Sequence, residues 1–269
     1  MQRGFIALVC GSLIMGAMPT HAQSVQQGDQ RVRDIVGAGK VRIGVFPSTQ
    51  YSKDTKTGEQ SGLALAITRA LTSRLGITEV STVEHPNPVA VVACVKAGEC
   101  DLGFVSIEPA RLAEVDFTPP YIRRDFTYLV PANSSVRGVD DADRPGIRIA
   151  TVTGHASTTA LVRVLKQAKP VYADDLDPAF ELLRAGGADA LASVREVVLR
   201  YAARLPGSRV LDDSYDSSLV AIAIQKGRTG WLSYVSEFLA DVKRSGWLRK
   251  TIDSGGLRGF EVVVENVPQ

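Results

Sequence analysis

Charge of one sign is scarce in this chain. Its 269 residues carry 31 Lys and Arg against 29 Asp and Glu, so no net field draws it to nucleic acid. No Lys/Arg-rich run with interleaved aromatics supplies a local one. There are only three cysteines and three histidines, and they form no cluster with metal-ligand spacing. Also missing are a Gly-x-Ser-x-Gly elbow, a Gly-rich phosphate loop, an internal repeat of fixed period and a low-complexity tract. Beyond the first twenty residues no long apolar stretch occurs, so the mature protein is expected to be soluble, with no cofactor.

The N-terminus has the layout of a secretory signal. Arg3 supplies the positive start, 5–18 the apolar segment, and Thr20-His21-Ala22 a small-residue cleavage site. The apolar run is too short for a membrane span. Val9 is too bulky for Cys10 to open a lipoprotein motif. Cleavage after Ala22 leaves 247 residues with 30 basic and 29 acidic side chains, enough for one large domain or two lobes with their own cores. Cys94 and Cys100 then remain as an even pair. In an oxidising compartment such a pair reads as a disulfide. The alternatives are buried free thiols, or a zinc site that needs more ligands than the one nearby histidine, His85.

Apolar periodicity alternates strands with helices. A β-branched run at 41–46 is followed by Leu63, Ile67, Leu71 and Leu75 on one helical face, closed by Gly76. A strand at 79–83 precedes Asn87-Pro88, a cap and first-turn pair, and 102–106 is a third strand. After 126–130 the alternation resumes: a strand at 147–152, a helix carrying Leu161, Val164, Leu165 and Ala168, and a strand at Val171-Tyr172. Asp177-Pro178 then opens a helix, Gly186-Gly187 ends it, and strands follow at 188–192 and 219–224. A long amphipathic segment carries Trp231, Val235, Phe238, Leu239 and Val242. Two α/β units with mostly parallel sheets follow from this order.

Asp101-Leu102-Gly103-Phe104-Val105-Ser106, then Arg111, then Asp116-Phe117-Thr118-Pro119-Pro120-Tyr121 together resemble the solute-binding proteins of amino-acid-type ABC importers, periplasmic binding proteins of the two-lobed second type. The likeness extends to Val41-Arg42-Ile43-Gly44-Val45 and Gly62, to Gly146-Ile147-Arg148-Ile149-Ala150 with Gly154, and to Ala221 through Gly227. It ends in a terminal helix running through Ser245-Gly246-Trp247-Leu248. The resemblance implies two crossings between lobes, near 124–129 and 216–221. Lobe one would combine 23–126 with 222–269, and lobe two would be 127–221.

Arg111 is the leading site residue. A guanidinium offers paired N–H groups that match a carboxylate, and ligands of open α/β sheets bind beyond the carboxyl ends of strands. The resemblance places Ser106 and Glu108 beside it, Tyr51 as an aromatic wall, and Gly154, His155 and Ala156 at a helix start suited to anions. Four departures from the family pattern stand out. Glu108 replaces a Thr and would compete for Arg111. His155 interrupts the usual Gly-Thr-Thr. Gly62-Leu63-Ala64-Leu65-Ala66 replaces Gly-Phe-Asp-x-Asp. Ser193-Val194-Arg195-Glu196 stands where amino-acid binders carry an Asp for the ligand's ammonium, and Arg195 would favour a second negative group there. The expected function is capture of a small carboxylate solute, an organic or dicarboxylic acid or an amino-acid derivative, by a monomer that delivers it to an ABC permease. The alternatives are a cyclohexadienyl-dehydratase-like enzyme using Glu108, Glu196 or His155, and a solute sensor that signals to a receptor.

Overall fold

A computed structural model of the protein describes residues 30–257 and 259–263, so the expected leader, 1–22, lies outside the described residues. The first half of the chain runs α1 (Gln30–Ala38), β1 (Lys40–Val45), β2 (Ser52–Lys53), β3 (Gln60–Ser61), α2 (Leu63–Arg74), β4 (Glu79–Glu84), α3 (Pro88–Ala97), β5 (Leu102–Ser106), α4 (Pro109–Leu112), β6 (Val115–Phe117) and β7 (Ile122–Val130). The second half runs β8 (Arg148–Val152), α5 (Ala156–Val164), β9 (Lys169–Ala173), α6 (Leu176–Arg184), β10 (Ala190–Val194), α7 (Arg195–Ala202), β11 (Arg209–Val210), β12 (Asp216–Gln225), α8 (Thr229–Arg244), α9 (Trp247–Ser254) and β13 (Phe260–Val262).

The main sheet has the order β4-β1-β5-β12-β7-β10-β8-β9. Each end is parallel, β4-β1-β5 on one side and β10-β8-β9 on the other. The two longest strands, β7 and β12, pair antiparallel in the middle, from Val220↔Ile122 to Asp216↔Phe126. Beyond that shared stretch β12 continues along β5 and β7 continues along β10. Two α/β halves therefore hang on one pair of strands.

Four apolar clusters follow from strand alternation, one on each face of each half. Val220 and Ile222 point to the cluster under α1, α2, α8 and α9, while Ala221 and Ala223 point to the one under α3. In the other half Ala150 and Leu191 face α6 and α7, and Ile149, Ala190 and Ala192 face α5. Small residues let α3 approach closely: a Cβ on Gly103 would lie 2.9 Å from Val91 and Val95.

The two halves repeat one fastening. Arg42 on β1 donates its backbone N–H and its guanidinium to Asp101, just before β5, and to Gly98 O. Arg148 on β8 does the same to Asp189, just before β10, and to Gly186 O. Each clip ties the first strand of its half to the partner strand at their N-terminal ends, leaving the C-terminal ends free to meet across the gap.

Several boundaries differ from expectation. α5 stops at Val164, because Leu165 is extended (ψ 137°), so Ala168 lies outside it. α6 begins at Leu176 under an Asp175 cap, ahead of Asp177-Pro178. β10 runs two residues further, to Val194. The terminal helix is two helices, broken where Gly246 takes the left-handed conformation (φ 73°). Cys94 and Cys100 form a disulfide with Cα atoms 5.3 Å apart, joining the last turns of α3 to the entry of β5. His85 Nε2 lies 3.9 Å from Cys100 Sγ. This trio is the metal-compatible group found among the described residues, but the bridge commits both sulfurs to each other.

Candidate functional site

β5 ends at Ser106, and Pro109 starts the single turn of α4. This places Arg111 back over the strand end. Its guanidinium donates to Ser106 O at 2.8 Å and lies 3.1 Å from a Glu108 oxygen. The side chain is 13% exposed, and burial lowers its pKa while Glu108 raises it. Two of the fork's contacts are thus made within the protein. Glu108 occupies the N-cap position of α4 without capping it, because its carboxylate goes to Arg111. Ser106 Oγ lies 3.5 Å from Ser218 Oγ on β12, so a hydroxyl pair links the two strands at the end of β5.

A second charged group lies between the halves. Glu196, the second residue of α7, takes hydrogen bonds through Oε1 from Thr49 Oγ1 at 3.1 Å and from Arg124 on β7. Arg124 also donates to Thr49 Oγ1 at 3.1 Å and lies over the Phe260 ring, 5.7 Å from its centroid. Glu196 is buried, and its Oε2 has no hydrogen-bond partner among the described residues.

His155 caps the start of α5 by position, without a side-chain cap bond. It is solvent-exposed. Desolvation lowers its pKa from the ordinary value, Asp175 raises it and Arg124 lowers it. Gly154 has φ +76° with open space where a Cβ would be, and Ala156 is the half-buried first residue of α5. Arg111, Ser106 and Glu108 therefore cluster on one half. His155, at the start of α5, belongs to the other.

Two expected site residues are placed elsewhere. Tyr51 is 2% exposed within the core under α1 and α2, its hydroxyl donating to Glu84 at 3.0 Å. It packs inward because Gly62 (φ +121°) crosses the Gln50-Tyr51 backbone so closely that a Cβ would fall 2.2 Å from Gln50 O. Arg195 spends its guanidinium on Leu211 O, Asp212 O and Asp213 O at 2.8, 2.8 and 3.0 Å, and so holds the loop before β12. Glu196 pairs with Arg124 rather than with its neighbour Arg195. Sequence reading missed Thr49, Arg124 and Ser218 as site residues. Their only signal was position, after β1 and on the two long strands. Among the described residues, no helix is long and apolar enough to cross a membrane.

The chain belongs to the bacterial extracellular solute-binding proteins, family 3, whose model matches residues 41–254. It is 25% identical over 204 residues to the glutamine-binding protein of Geobacillus stearothermophilus, covering 74% of this chain and 78% of the relative. It is 29% identical over 206 residues to the virulence sensor protein BvgS of Bordetella pertussis, covering 73% of this chain but 16% of that much longer protein. Among solved structures, an ancestral cationic amino acid solute-binding protein superposes with a TM-score of 0.72 at 25% identity, over 84% of this chain and 99% of the other. These likenesses identify the two-lobed fold of type II periplasmic binding proteins and a substrate-binding role.

Proposed function

We propose that this member of solute-binding family 3 is an exported, periplasmic protein that captures a small carboxylate-bearing solute between its lobes and delivers it to an ABC importer. The observation that carries this reading is Arg111, a largely buried fork held at the carboxyl end of β5 by Ser106 O. Such a group suits a bidentate carboxylate. Lobe one is proposed as 23–126 with 222–269 and lobe two as 127–221, with hinges where β7 and β12 change partners, inside 124–129 and 216–221. A solute touching both lobes favours the closed form in proportion to its differential affinity for that form.

Binding is favoured over catalysis because two of the three candidate acids are engaged: Glu108 with Arg111, and Glu196 with Arg124 and Thr49. A carboxylate already engaged by protein groups is poorly placed to reach a proton on a substrate. Similarity to the BvgS sensor supports a second reading, in which the loaded protein reports to a receptor instead of a permease. Native mass spectrometry of the purified protein tests the proposal. A retained carboxylate of small mass supports it, and so does absence of turnover with prephenate or arogenate. Turnover of either compound would replace binding with catalysis.

A further inference from the structure

Thr49, Arg124 and Glu196 come from three separately anchored parts of the molecule. Thr49 lies in the loop after β1, two residues before Tyr51, which is locked into the core under α1 and α2. Glu196 precedes Val197, Val198 and Tyr201, all packed in the core of the other lobe. Arg124 stands on β7, opposite Ser218 of β12 and Phe260 of β13. The Thr49 hydroxyl accepts from Arg124 and donates to Glu196, both at 3.1 Å, so its one proton and a lone pair are both used. Gly259 abuts the same corner: a Cβ there would lie 3.0 Å from Glu196 N and 3.2 Å from Arg195 Cγ.

We propose that Glu196 is the closure residue of the cleft. It holds the lobes together through Thr49 and Arg124, and so sets affinity through the open–closed equilibrium without touching the solute. Rotation of one lobe away from the other separates Thr49 from Glu196, because each is fixed in its own core. The tie therefore exists only in the closed form. Apparent affinity scales with the fraction of molecules in the binding-competent form, so a protein–protein tie tightens every solute by the same factor. The other oxygen, Glu196 Oε2, has no hydrogen-bond partner among the described residues, so the tie runs through Oε1 alone.

The affinity part of this inference rests on the proposed solute-binding function, whereas the closure part does not, so the test has two arms. In the first, protein stripped of solute by unfolding and refolding is examined by small-angle scattering, with far-UV circular dichroism to verify folding. Glu196→Ala and Thr49→Val are expected to show a larger radius of gyration than the unmodified protein. Thr49→Val removes the contact that joins the two cores and leaves only the pair with Arg124 on the hinge strand β7, and so decides the matter if Glu196→Ala does not fold. Equal radii for folded variants and parent would overturn the proposal. In the second arm, calorimetry compares L-glutamine with its amine-free analogue glutaramate. A loss of roughly tenfold, equal for both compounds, supports closure, whereas a loss confined to L-glutamine would assign Glu196 to the solute's ammonium and overturn it. If neither compound nor any other carboxylate binds the unmodified protein, the proposed function falls and the scattering arm still decides the tie.

Discussion

At the scale of single residues, the site is a set of charges already partly committed to one another. Glu108 is 37% exposed and lies 3.1 Å from Arg111, and exposed pairs of this kind are worth up to ~1 kcal/mol. Glu108→Gln should therefore free the guanidinium and tighten carboxylate binding, by about fivefold at most. Calorimetry on the two proteins measures the change, and weaker binding would mean that Glu108 itself contacts the solute. His155 has its pKa lowered from the ordinary 6.5, chiefly by desolvation. The folded protein thus resists protonating this ring, the unfolded chain takes up the proton more readily, and the ring's contribution to stability falls as pH drops through and below 6.5. A proton NMR titration should show an imidazole resonance with a midpoint under 6.5 that disappears in His155→Gln. A midpoint at or above 6.5 would contradict that environment. Arg111 was legible because its spacing from a strand end is a backbone property. The inward turn of Tyr51 and the diversion of Arg195 to three carbonyls were not, because both depend on the path of irregular loops, which leaves no apolar periodicity in the sequence.

At the scale of elements, the repeated Arg–Asp clips fasten each half at its closed end. Their environments differ: the Asp101 side chain is 3% exposed and also pairs with Arg31, while Asp189 is 36% exposed. Asp101→Ala removes a buried carboxylate shared by two partly exposed guanidiniums and should destabilise the protein by about 1.5–3 kcal/mol. Asp189→Ala should lose about 1 kcal/mol. Urea denaturation of both variants checks the order, and equal losses would deny the difference in burial. The Cys94–Cys100 bridge closes a short loop, six residues apart in sequence, so its entropic contribution should not exceed the ~3 kcal/mol associated with a 15-residue loop. Titration of the unfolded, unreduced mature protein should find no reactive thiol, and two thiols per chain would reject the bridge. The order of the main strands and helices was readable, since runs of apolar, continuously buried residues mark β5, β8, β10 and β12, whereas α1, α7 and the short strands were not read. Ends were read less well. Leu165 and Ala168 continue a helical spacing that the chain abandons to start β9, and Gly246 breaks a helix whose apolar pattern runs on through Trp247 and Leu248.

At the scale of the whole molecule, two long strands, β7 and β12, join two α/β halves with separate cores, and the Thr49, Arg124 and Glu196 group lies where the halves meet. Alternation in the sequence could show two α/β units. It could not show that β12 returns to lie between β5 and β7, because the pairing of strands a hundred residues apart leaves no local periodicity; that topology came from the resemblance. The same limit hid the Thr49–Glu196 contact, which spans 147 residues. The central claim is that this molecule holds a carboxylate solute at Arg111. Calorimetric titration of the solute retained by the purified protein, run on the unmodified chain and on Arg111→Ala, tests it most directly. Removing one partner of a buried charged pair costs roughly 3–5 kcal/mol. Kd is therefore expected to rise by two decades or more while the solute-free variant keeps its melting transition. A rise of less than about fivefold, the range of an exposed ion pair, would contradict it.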